Sequence, residues 1–441
     1  MSRSRMFHAN QPPNFSDPRA HFAREIVETL RSRGFDALWA GGCVRDQLLG
    51  KTPKDYDVAT NARPEQIRGV FGRRRTLLVG AAFGVVTVLP HQPSLGQVEV
   101  ATFRRDGNYT DGRHPDQVSF SDPREDAQRR DFTINGIFYD PIEKRVIDYV
   151  GGEEDLGRRV IRCIGDPHQR FDEDKLRMIR AVRFATTLGF EIEPETRQAI
   201  QQRADEVRVV SAERIAAEMR RTLVHENSAA GLSEIRQLEL WRQVLPEYAN
   251  EVSSTRDQHW MSLIHLFEHL DSGWSFPTAL AALLWPLAHQ RNAEQSVAQL
   301  TERWKLANVE SKDAHWLLTH VTTILHAQRI AWPTLQSVLI DPRVGELLRL
   351  TRAIIRTTQG PHANMDALQY CEERLAWPAA QLNPAPLLNG NDLRTVGIPA
   401  GPELGRLLTA VRHAQLDGLL DDRETALAWV ARQRSDDRGE S

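Results

Sequence analysis

The chain has 441 residues, enough for several domains with sizeable hydrophobic cores. Its formal net charge of -3 excludes the overall basic excess of a dedicated nucleic-acid binder, so affinity for a polyanion must come from local clusters of charge. Cys43, Cys163 and Cys371 are widely separated, which predicts neither a disulfide framework nor a zinc site and favours a reducing, cytoplasmic location.

The predicted elements begin with an amphipathic helix over residues 18–34, after a polar, proline-containing tail. Strand and helix signals then alternate to about residue 160, which predicts a small mixed sheet flanked by helices. The candidate strands cover residues 77–79, 84–89, 98–103, 133–139 and 146–149. Beyond this point the periodicity is almost entirely helical, so the sequence predicts an α+β fold, with a sheet-containing head followed by all-α domains.

Membrane attachment is not expected. The longest apolar run, residues 278–288, is too short to span a bilayer, and the polar N-terminus lacks the apolar segment of a signal peptide.

Two glycines followed by a pair of aspartates are the most informative pattern. Gly41 and Gly42 allow backbone N–H groups to approach phosphate oxygens, and a helix predicted over residues 44–49 directs its positive end there. Asp55 and Asp57 lie in a predicted extended run, so alternation places both carboxylates on one face. Such a pair can hold two Mg²⁺ ions about 3.5–4 Å apart, one activating a hydroxyl and one neutralising a triphosphate. Taken singly, the two patterns also fit a surface turn and a solvated acid pair.

Glu99 is a third candidate acid. It lies in a β-type run where a charge on one face is otherwise unfavourable, and we interpret it as a further carboxylate of the metal site. The alternative is an exposed glutamate on an edge strand.

A cluster of charged residues follows at residues 129–135. Arg130 offers a guanidinium group to a phosphate, while Asp131 and Asn135 offer partners for a ribose hydroxyl. The alternative is a charged helix start.

Together these residues resemble the class II tRNA nucleotidyltransferases, the CCA-adding enzymes, in the family that they share with bacterial poly(A) polymerases. Four motifs occur in the family's order and cover about residues 35–190. They read Gly41-Gly42-x-Val44-Arg45-Asp46 with Asp55-x-Asp57, Arg129-Arg130-Asp131-Phe132-Thr133-x-Asn135, Asp148-x-x-Gly151-Gly152-x-x-Asp155-Leu156, and Glu173-Asp174-x-x-Arg177. The resemblance implies that Asp55 and Asp57 bind the catalytic Mg²⁺, that the second motif binds ribose and that the third is a hinge. Gly41, Gly42 and Arg45 are then expected to hold the triphosphate.

The fourth motif suggests how bases are selected. In a helix predicted over residues 172–184, Asp174 and Arg177 share one face. Cytosine and adenine both present an amine donor beside a ring-nitrogen acceptor, so an accepting carboxylate and a donating guanidinium fit both and exclude guanine and uracil. The alternative is an ordinary salt bridge within the helix.

Two segments bear on which reaction is catalysed. Residues 104–128 form a long, glycine- and proline-containing connection, and in the resembled family a mobile loop here favours CCA or terminal-A addition over an enzyme confined to adding C. Residues 70–75 resemble a poly(A) polymerase signature, whereas residues 79–85 resemble the corresponding run of CCA-adding enzymes. We therefore expect addition of CCA to tRNA from CTP and ATP. Terminal-A addition, poly(A) synthesis and a catalytically inactive RNA-binding relative remain as alternatives.

The domain organisation follows from the same comparison. The region where some family members carry a His-Asp hydrolase centre has no such pair. In the C-terminal tail, turns near residues 389 and 401 precede predicted helices. The N-termini of these helices could bind RNA phosphates, and the alternative is that the turns only cap the helices. The sequence does not indicate the oligomeric state. The expected domains are a tail (1–22), a catalytic head (23–160), a helical neck (161–225), a degenerate HD-like helical body (226–380) and an RNA-binding tail (381–441).

Overall fold

The computed structural model describes residues 17–79, 83–107, 118–248, 253–288, 293–360 and 362–439. The chain divides into two compact units, residues 1–250 and residues 251–441. The first unit contains all the strands of the described residues, and the second is helical. The predicted α+β class is confirmed.

A seven-stranded mixed sheet forms the centre of the first unit, with the strand order β3-β4-β5-β2-β1-β8-β9. Its central strand pair, β2 and β5, is parallel, while the other neighbours are antiparallel. Strand β1 is buried along its whole length because both faces are covered. The strands are β1 (Ala37–Ala40), β2 (Asp57–Thr60), β3 (Thr76–Leu77), β4 (Val85–Val88), β5 (Val98–Thr102), β8 (Phe138–Asp140) and β9 (Arg145–Ile147).

Short two-stranded ladders lie outside this sheet. One pairs β6 (Arg104–Asp106) with β7 (Val118–Phe120), and the other pairs β10 (Val160–Ile161) with β11 (Glu191–Ile192). The sequence predicted an irregular connection over residues 104–128. The structure corrects this prediction, because the segment contains the β6–β7 ribbon and a helix over Pro123–Gln128. Residues 108–117 of that connection lie outside the described residues.

The helices of the first unit start at sequence signals that are easily recognised. In α1 the carboxylate of Asp17 accepts a hydrogen bond from the Arg19 amide at 2.9 Å, Pro18 occupies the first turn, and Phe22, Ile26 and Leu30 form the buried stripe. The helices are α1 (Pro18–Ser32), α2 (Gly42–Leu48), α3 (Pro64–Phe71), α4 (Pro123–Gln128), α5 (Gly152–Arg158), α6 (Pro167–Glu173), α7 (Leu176–Leu188), α8 (Pro194–Arg203), α9 (Ala212–Leu223), α10 (Ser228–Gln237) and α11 (Trp241–Val244).

The predicted strand over 133–139 is wrong in its first half. Residues 133–135 form a 3₁₀ turn in which the Gly136 amide bonds to the Thr133 carbonyl, and the strand starts only at Phe138. Helix α7, in contrast, runs from Leu176 to Leu188 as its periodicity predicted, and it packs against α9 and α10.

The second unit is built on α13, an apolar helix whose buried face includes Leu280, Leu283 and Leu287. In the C-terminal part of the second unit, a separate hydrophobic cluster packs around Leu393, Ile398 and Val411. The helices are α12 (Ser253–Glu268), α13 (Phe276–Ala288), α14 (Ala293–Trp304), α15 (Asn308–Leu325), α16 (Trp332–Leu339), α17 (Val344–Gln359), α18 (Asp366–Leu375), α19 (Ala379–Leu382), α20 (Gly390–Thr395), α21 (Pro402–Leu416) and α22 (Arg423–Gly439).

In the described parts of the chain, no helix combines the length and the apolar character that crossing a bilayer requires.

Candidate active site

A cavity of about 1070 Å³ in the first unit collects the predicted site residues. It is lined by segments around α2, by the start of β2, by the 129–135 segment and by one face of α7. Of the residues predicted from sequence, all but Glu99 line it: Gly41, Gly42, Arg45, Asp55, Asp57, Arg130, Asp131, Asn135, Asp174 and Arg177.

The two aspartates of the first motif reach the cavity from different kinds of backbone. Strand β2 begins at Asp57, whereas Asp55 precedes it in an exposed bend, so the prediction that both lie in one extended run is wrong. Tyr56 between them is buried on the other side, and both acids line the cavity. The alternation expected of a strand therefore extends to Asp55, two residues before β2 begins.

Asp57 lies near two other acids, and none of the described residues forms an ion pair with it. It stands in register with Glu99 on the parallel strand β5, and β5 is a central strand of the sheet and not an edge. Burial raises the pKa of Asp57 to about 6, with Glu99 and Asp55 adding to the effect and Arg130 opposing it. Within the described residues neither Asp55 nor Asp57 forms an ion pair. A partly buried carboxylate with acidic neighbours and no ion pair among the described residues is suited to bind a cation.

Glu99 does not complete a ligand set in this structure. Its side chain is exposed, and among the described residues no group of three or more acidic, histidine or cysteine side chains is placed to hold a metal ion. Its part in the site stays a prediction.

Gly41 is required for space at the start of α2. Its φ is +72°, and a Cβ atom there would lie 2.9 Å from Nη1 of Arg130. Its amide donates to the Ile137 carbonyl at 3.3 Å, so this N–H is already used within the fold. Helix α2 begins at Gly42, two residues before the predicted start. Gly41 thus lets Arg130 approach the start of the helix, a role that the sequence did not indicate.

Arg45 projects from α2 into a polar corner of the cavity. Its Nη1 donates to Oδ1 of Asn135 at 2.7 Å, and its Nε and Nη2 donate to Oδ1 of Asp46. These bonds fix the plane of the guanidinium group before any ligand binds.

The second motif follows the end of helix α4 and does not begin a helix, so the alternative of a charged helix start is wrong. The buried carboxylate of Asp126 holds both neighbouring arginines, Arg129 at 2.7 Å and Arg130 at 3.0 Å. Arg130 also donates to the Asn135 carbonyl. Asp126 was not predicted from the sequence, although its i,i+3 and i,i+4 spacing to the two arginines is a recognisable signal.

Asp131 is buried, and both of its oxygens are engaged. One accepts hydrogen bonds from the Phe132 amide and from Nδ2 of Asn135, and the other accepts from Arg180 at 2.9 and 2.6 Å. Burial opposes ionisation, but Arg180 and Asn135 outweigh it and hold the pKa of Asp131 well below its usual range. Asp131 therefore joins the 129–135 segment to helix α7.

The fourth motif is arranged differently from the prediction. Helix α6 ends at Glu173, Asp174 is extended, and α7 starts at Leu176, so no continuous helix covers residues 172–184. Arg177 pairs with Glu173 at 2.6 Å, whereas Asp174 pairs with Arg214 of α9 at 2.6 Å. A salt bridge between Asp174 and Arg177, the alternative considered from sequence, is therefore not formed.

Helix α7 contributes further residues that were not predicted. Arg180 and Arg183 follow Arg177 at intervals of three and line the same cavity, a periodicity that the sequence contains. Arg183 pairs with the buried Glu218 at 2.6 Å and lies over the ring of Phe184. The partner Glu218, 35 positions away, carries no local signal.

The charge of the cavity differs from that of the chain. Nine Lys or Arg residues and five Asp residues line it, whereas the whole chain has a net charge of -3. This local excess of positive charge favours a polyanionic ligand.

Comparison with known proteins places a chain with this head and cavity among the nucleotidyltransferases. Residues 37–162 match a family model described as the Poly A polymerase head domain, and residues 189–252 match one described as a probable RNA and SrmB-binding site of polymerase A.

The match to individual proteins is more specific. The CCA-adding enzyme of Lactiplantibacillus plantarum is 32% identical over 418 residues, which cover 94% of this chain and 97% of that protein. The crystal structure of the Bacillus stearothermophilus CCA-adding enzyme in complex with CTP superposes with a TM-score of 0.76 at 29% identity, covering 96% of this chain and all of that one. The Thermotoga maritima CCA-adding enzyme complexed with tRNA shares the fold, with a TM-score of 0.64 at 19% identity over 94% and 95% of the two chains. This chain belongs to the family of CCA-adding enzymes, which generally use a divalent metal ion.

Proposed function

We propose that this enzyme adds CCA to the 3′ end of tRNA, using CTP and ATP without a nucleic-acid template. The observation that carries the proposal is the cavity. It is lined both by Asp55 and Asp57, which form no ion pair with any described residue, and by a set of arginines fixed by carboxylates. Relatives that match this chain along nearly their whole length are named CCA-adding enzymes, and one of them has been solved with CTP.

Asp55 and Asp57 would hold the divalent ion, which we propose to be Mg²⁺. The fit rests on the chemistry of the donors: they are hard carboxylate oxygens, and the partly buried Asp57 has no cation of its own among the described residues. When bound, the ion would supply positive charge to the reacting hydroxyl and to the triphosphate. Glu99, in register with Asp57, would support this site through its charge.

The reaction joins the tRNA to the incoming nucleotide. The oxygen of the terminal 3′-hydroxyl forms a bond to the α-phosphorus of CTP or ATP, the bond to pyrophosphate breaks, and the hydroxyl proton passes to solvent. Gly42 and Arg45 would hold the triphosphate, with Gly41 making room for Arg130. Because Arg45 and Arg130 are already fixed by Asp46, Asn135 and Asp126, little order would be lost when they bind phosphate oxygens.

The ribose and base would be held by the second and fourth motifs. Arg130, Asp131 and Asn135 form one connected group beside the cavity, and Arg180 keeps Asp131 ionised. Asp174 and Arg177 would select the base. Each is oriented by another partner, Arg214 and Glu173 respectively, so their outward-facing atoms remain in fixed directions for an amine donor and a ring acceptor.

Terminal-A addition and poly(A) synthesis differ from this proposal in their products. The run at residues 79–85 that favoured CCA addition is only partly described, since residues 80–82 lie outside the described ranges. We therefore propose to extend three RNAs with CTP and ATP and to resolve each product by single nucleotides: tRNA ending at the discriminator base, tRNA ending in CC, and an unstructured RNA.

Growth that stops at CCA on the first tRNA is the expected result. Use of the CC-ending tRNA alone would replace the proposal with terminal-A addition, and a long adenosine ladder on the unstructured RNA would replace it with poly(A) synthesis. The predicted cytoplasmic location remains part of the proposal. The three cysteines are buried and form no disulfide, which is compatible with a reducing compartment.

A further inference from the structure

The cations that line the cavity fall into two groups. Six arginines each have a carboxylate within 4 Å: Arg45, Arg129, Arg130, Arg177, Arg180 and Arg183. Three others, Lys51, Lys54 and Arg221, have no carboxylate partner among the residues that the structure describes. The proposed nucleotide site uses the first group, and it leaves the second unexplained.

Two of the unpaired cations belong to one side of the cavity. Lys51 follows α2, and Arg221 lies in the last turn of α9, with His225 two residues beyond the helix end. Lys51, Arg221 and His225 all line the cavity. Burial lowers the pKa of His225, Glu226 opposes this, and the charge of Lys51 lowers the pKa further. The connection after α2 and the end of α9 thus line the same wall.

This wall also exposes surface that can contact a base. The side chain of Val224 is 36% exposed, and Leu188 and His225 are half-buried beside it. A nucleoside triphosphate bound through its phosphates would need only the cations. A single RNA strand needs cations and also a surface for its bases, because its phosphates alternate with bases that pack on apolar and aromatic side chains.

We infer that Lys51 and Arg221 bind backbone phosphates of the RNA 3′ strand, and that Val224 and His225 contact its terminal bases. The inference rests on the proposed function, since it assigns the primer to one wall of the proposed site. Arg221, Val224 and His225 also lie within the segment whose family model is described as a probable RNA-binding site. Lys54 is left out of the assignment because it adjoins Asp55.

The test measures tRNA binding separately from nucleotide binding. Full-length protein, without nucleotide, is titrated onto fluorescent tRNA ending in CC at several KCl concentrations, using Lys51→Gln, Arg221→Gln and the uncharged Val224→Asn. Arg33→Gln is the matched control, because it removes one exposed charge just beyond α1 that does not line the cavity. Thermal melting confirms that each variant is folded, and the KM for CTP is measured in parallel.

We expect Lys51→Gln and Arg221→Gln each to raise the Kd for tRNA about 3- to 10-fold and to reduce the slope of log Kd against log [KCl] by about 0.7 per lost phosphate contact. Val224→Asn removes the apolar contact without changing charge, so it should raise the Kd without reducing that slope. The KM for CTP should stay within about twofold of wild type in all three.

Variants that bind tRNA like Arg33→Gln would overturn the assignment. A raised KM for CTP with unchanged tRNA binding would also overturn it, and would place these cations on the triphosphate. Failure of the proposed function would be visible elsewhere, as absence of tRNA extension by the wild-type enzyme.

Discussion

Asp174 accepts a hydrogen bond from Nη2 of Arg214 in α9 at 2.6 Å, although the two residues are 40 positions apart in the sequence. Its other oxygen accepts from the Leu176 amide at 3.0 Å, so the carboxylate caps α7 while its direction is set by α9. A group proposed to select bases is thereby fixed by two elements before the nucleotide arrives.

This arrangement predicts that Arg214 controls fidelity. Asp174→Ala should allow incorporation from GTP and UTP, because the accepting carboxylate that disfavours their carbonyl edges is lost. Arg214→Gln should weaken selection in the same direction by a smaller factor, roughly 3- to 10-fold, because the carboxylate remains but is no longer held. The measurement is the ratio of kcat/KM for CTP to that for UTP.

Arg158→Gln is the control for Arg214→Gln, since it breaks an exposed ion pair with Glu154 outside the cavity. If Asp174→Ala and Arg214→Gln both select as strictly as Arg158→Gln, the base-selecting role belongs to other residues.

Gly41 gives a second prediction. Gly41→Ala should reduce kcat/KM for nucleotides at least about tenfold, because the new methyl group would displace Nη1 of Arg130 from a position 2.9 Å away. It should also cost about 1 kcal/mol of unfolding free energy through its positive φ.

The chain offers a matched control in Gly34→Ala. Gly34 also has a positive φ, +84°, with no atom within 4 Å of the added Cβ, so its substitution imposes a positive-φ cost without displacing a neighbour. Equal activity of the two variants would show that the contact with Arg130 is unimportant.

The pair of Asp131 with Arg180 predicts a pH-dependent stability. A carboxyl group whose pKa is lowered by folding stabilises the native state above its unfolded value of about 3.9 and loses this contribution as the pH falls toward the native pKa. Asp131→Asn should therefore destabilise the protein by about 2 kcal/mol at pH 7. The deficit should shrink as the pH is lowered below about 4.

Urea unfolding of wild type and Asp131→Asn across this pH range measures the effect, with the exposed Asp205→Asn as the control. A deficit that stays constant down to pH 3 would contradict the assignment of the stabilisation to the ionised Asp131.

Local features of the fold followed from the sequence, and long-range partnerships did not. The amphipathic stripe of α1 and the periodicity of α7 predicted those helices because each pattern repeats within a few residues. The sequence predicts a strand where residues 133–135 form a 3₁₀ turn. Thr133, Ile134 and Asn135 are all buried by tertiary packing, and so short a segment carries no period that separates the two states.

The candidate site shows the same division. Motif spacing identified Asp57 and Asp174, but it could not supply Arg214 or Glu218, which meet their partners only after α7 and α9 pack together. It also did not indicate that Arg130 lies close to Gly41, because this proximity is a property of the folded chain.

The central claim is that CCA addition takes place at Asp55 and Asp57. Asp57→Asn keeps the shape of the side chain but removes its charge, so nucleotide incorporation should fall about 10³-fold or more. The melting temperature of the metal-free protein should not fall. Because burial raises the pKa of Asp57 to about 6, its ionised form costs stability above that pH when no cation is bound, and asparagine removes this cost.

The most direct measurement is single-turnover extension of tRNA ending at the discriminator base, with CTP, ATP and Mg²⁺. Wild type and Asp57→Asn are compared with Glu154→Gln, an exposed charge removal on α5. The account predicts growth to CCA by wild type and Glu154→Gln, with almost no incorporation by a stably folded Asp57→Asn. Extension by Asp57→Asn at a rate near that of wild type would contradict it.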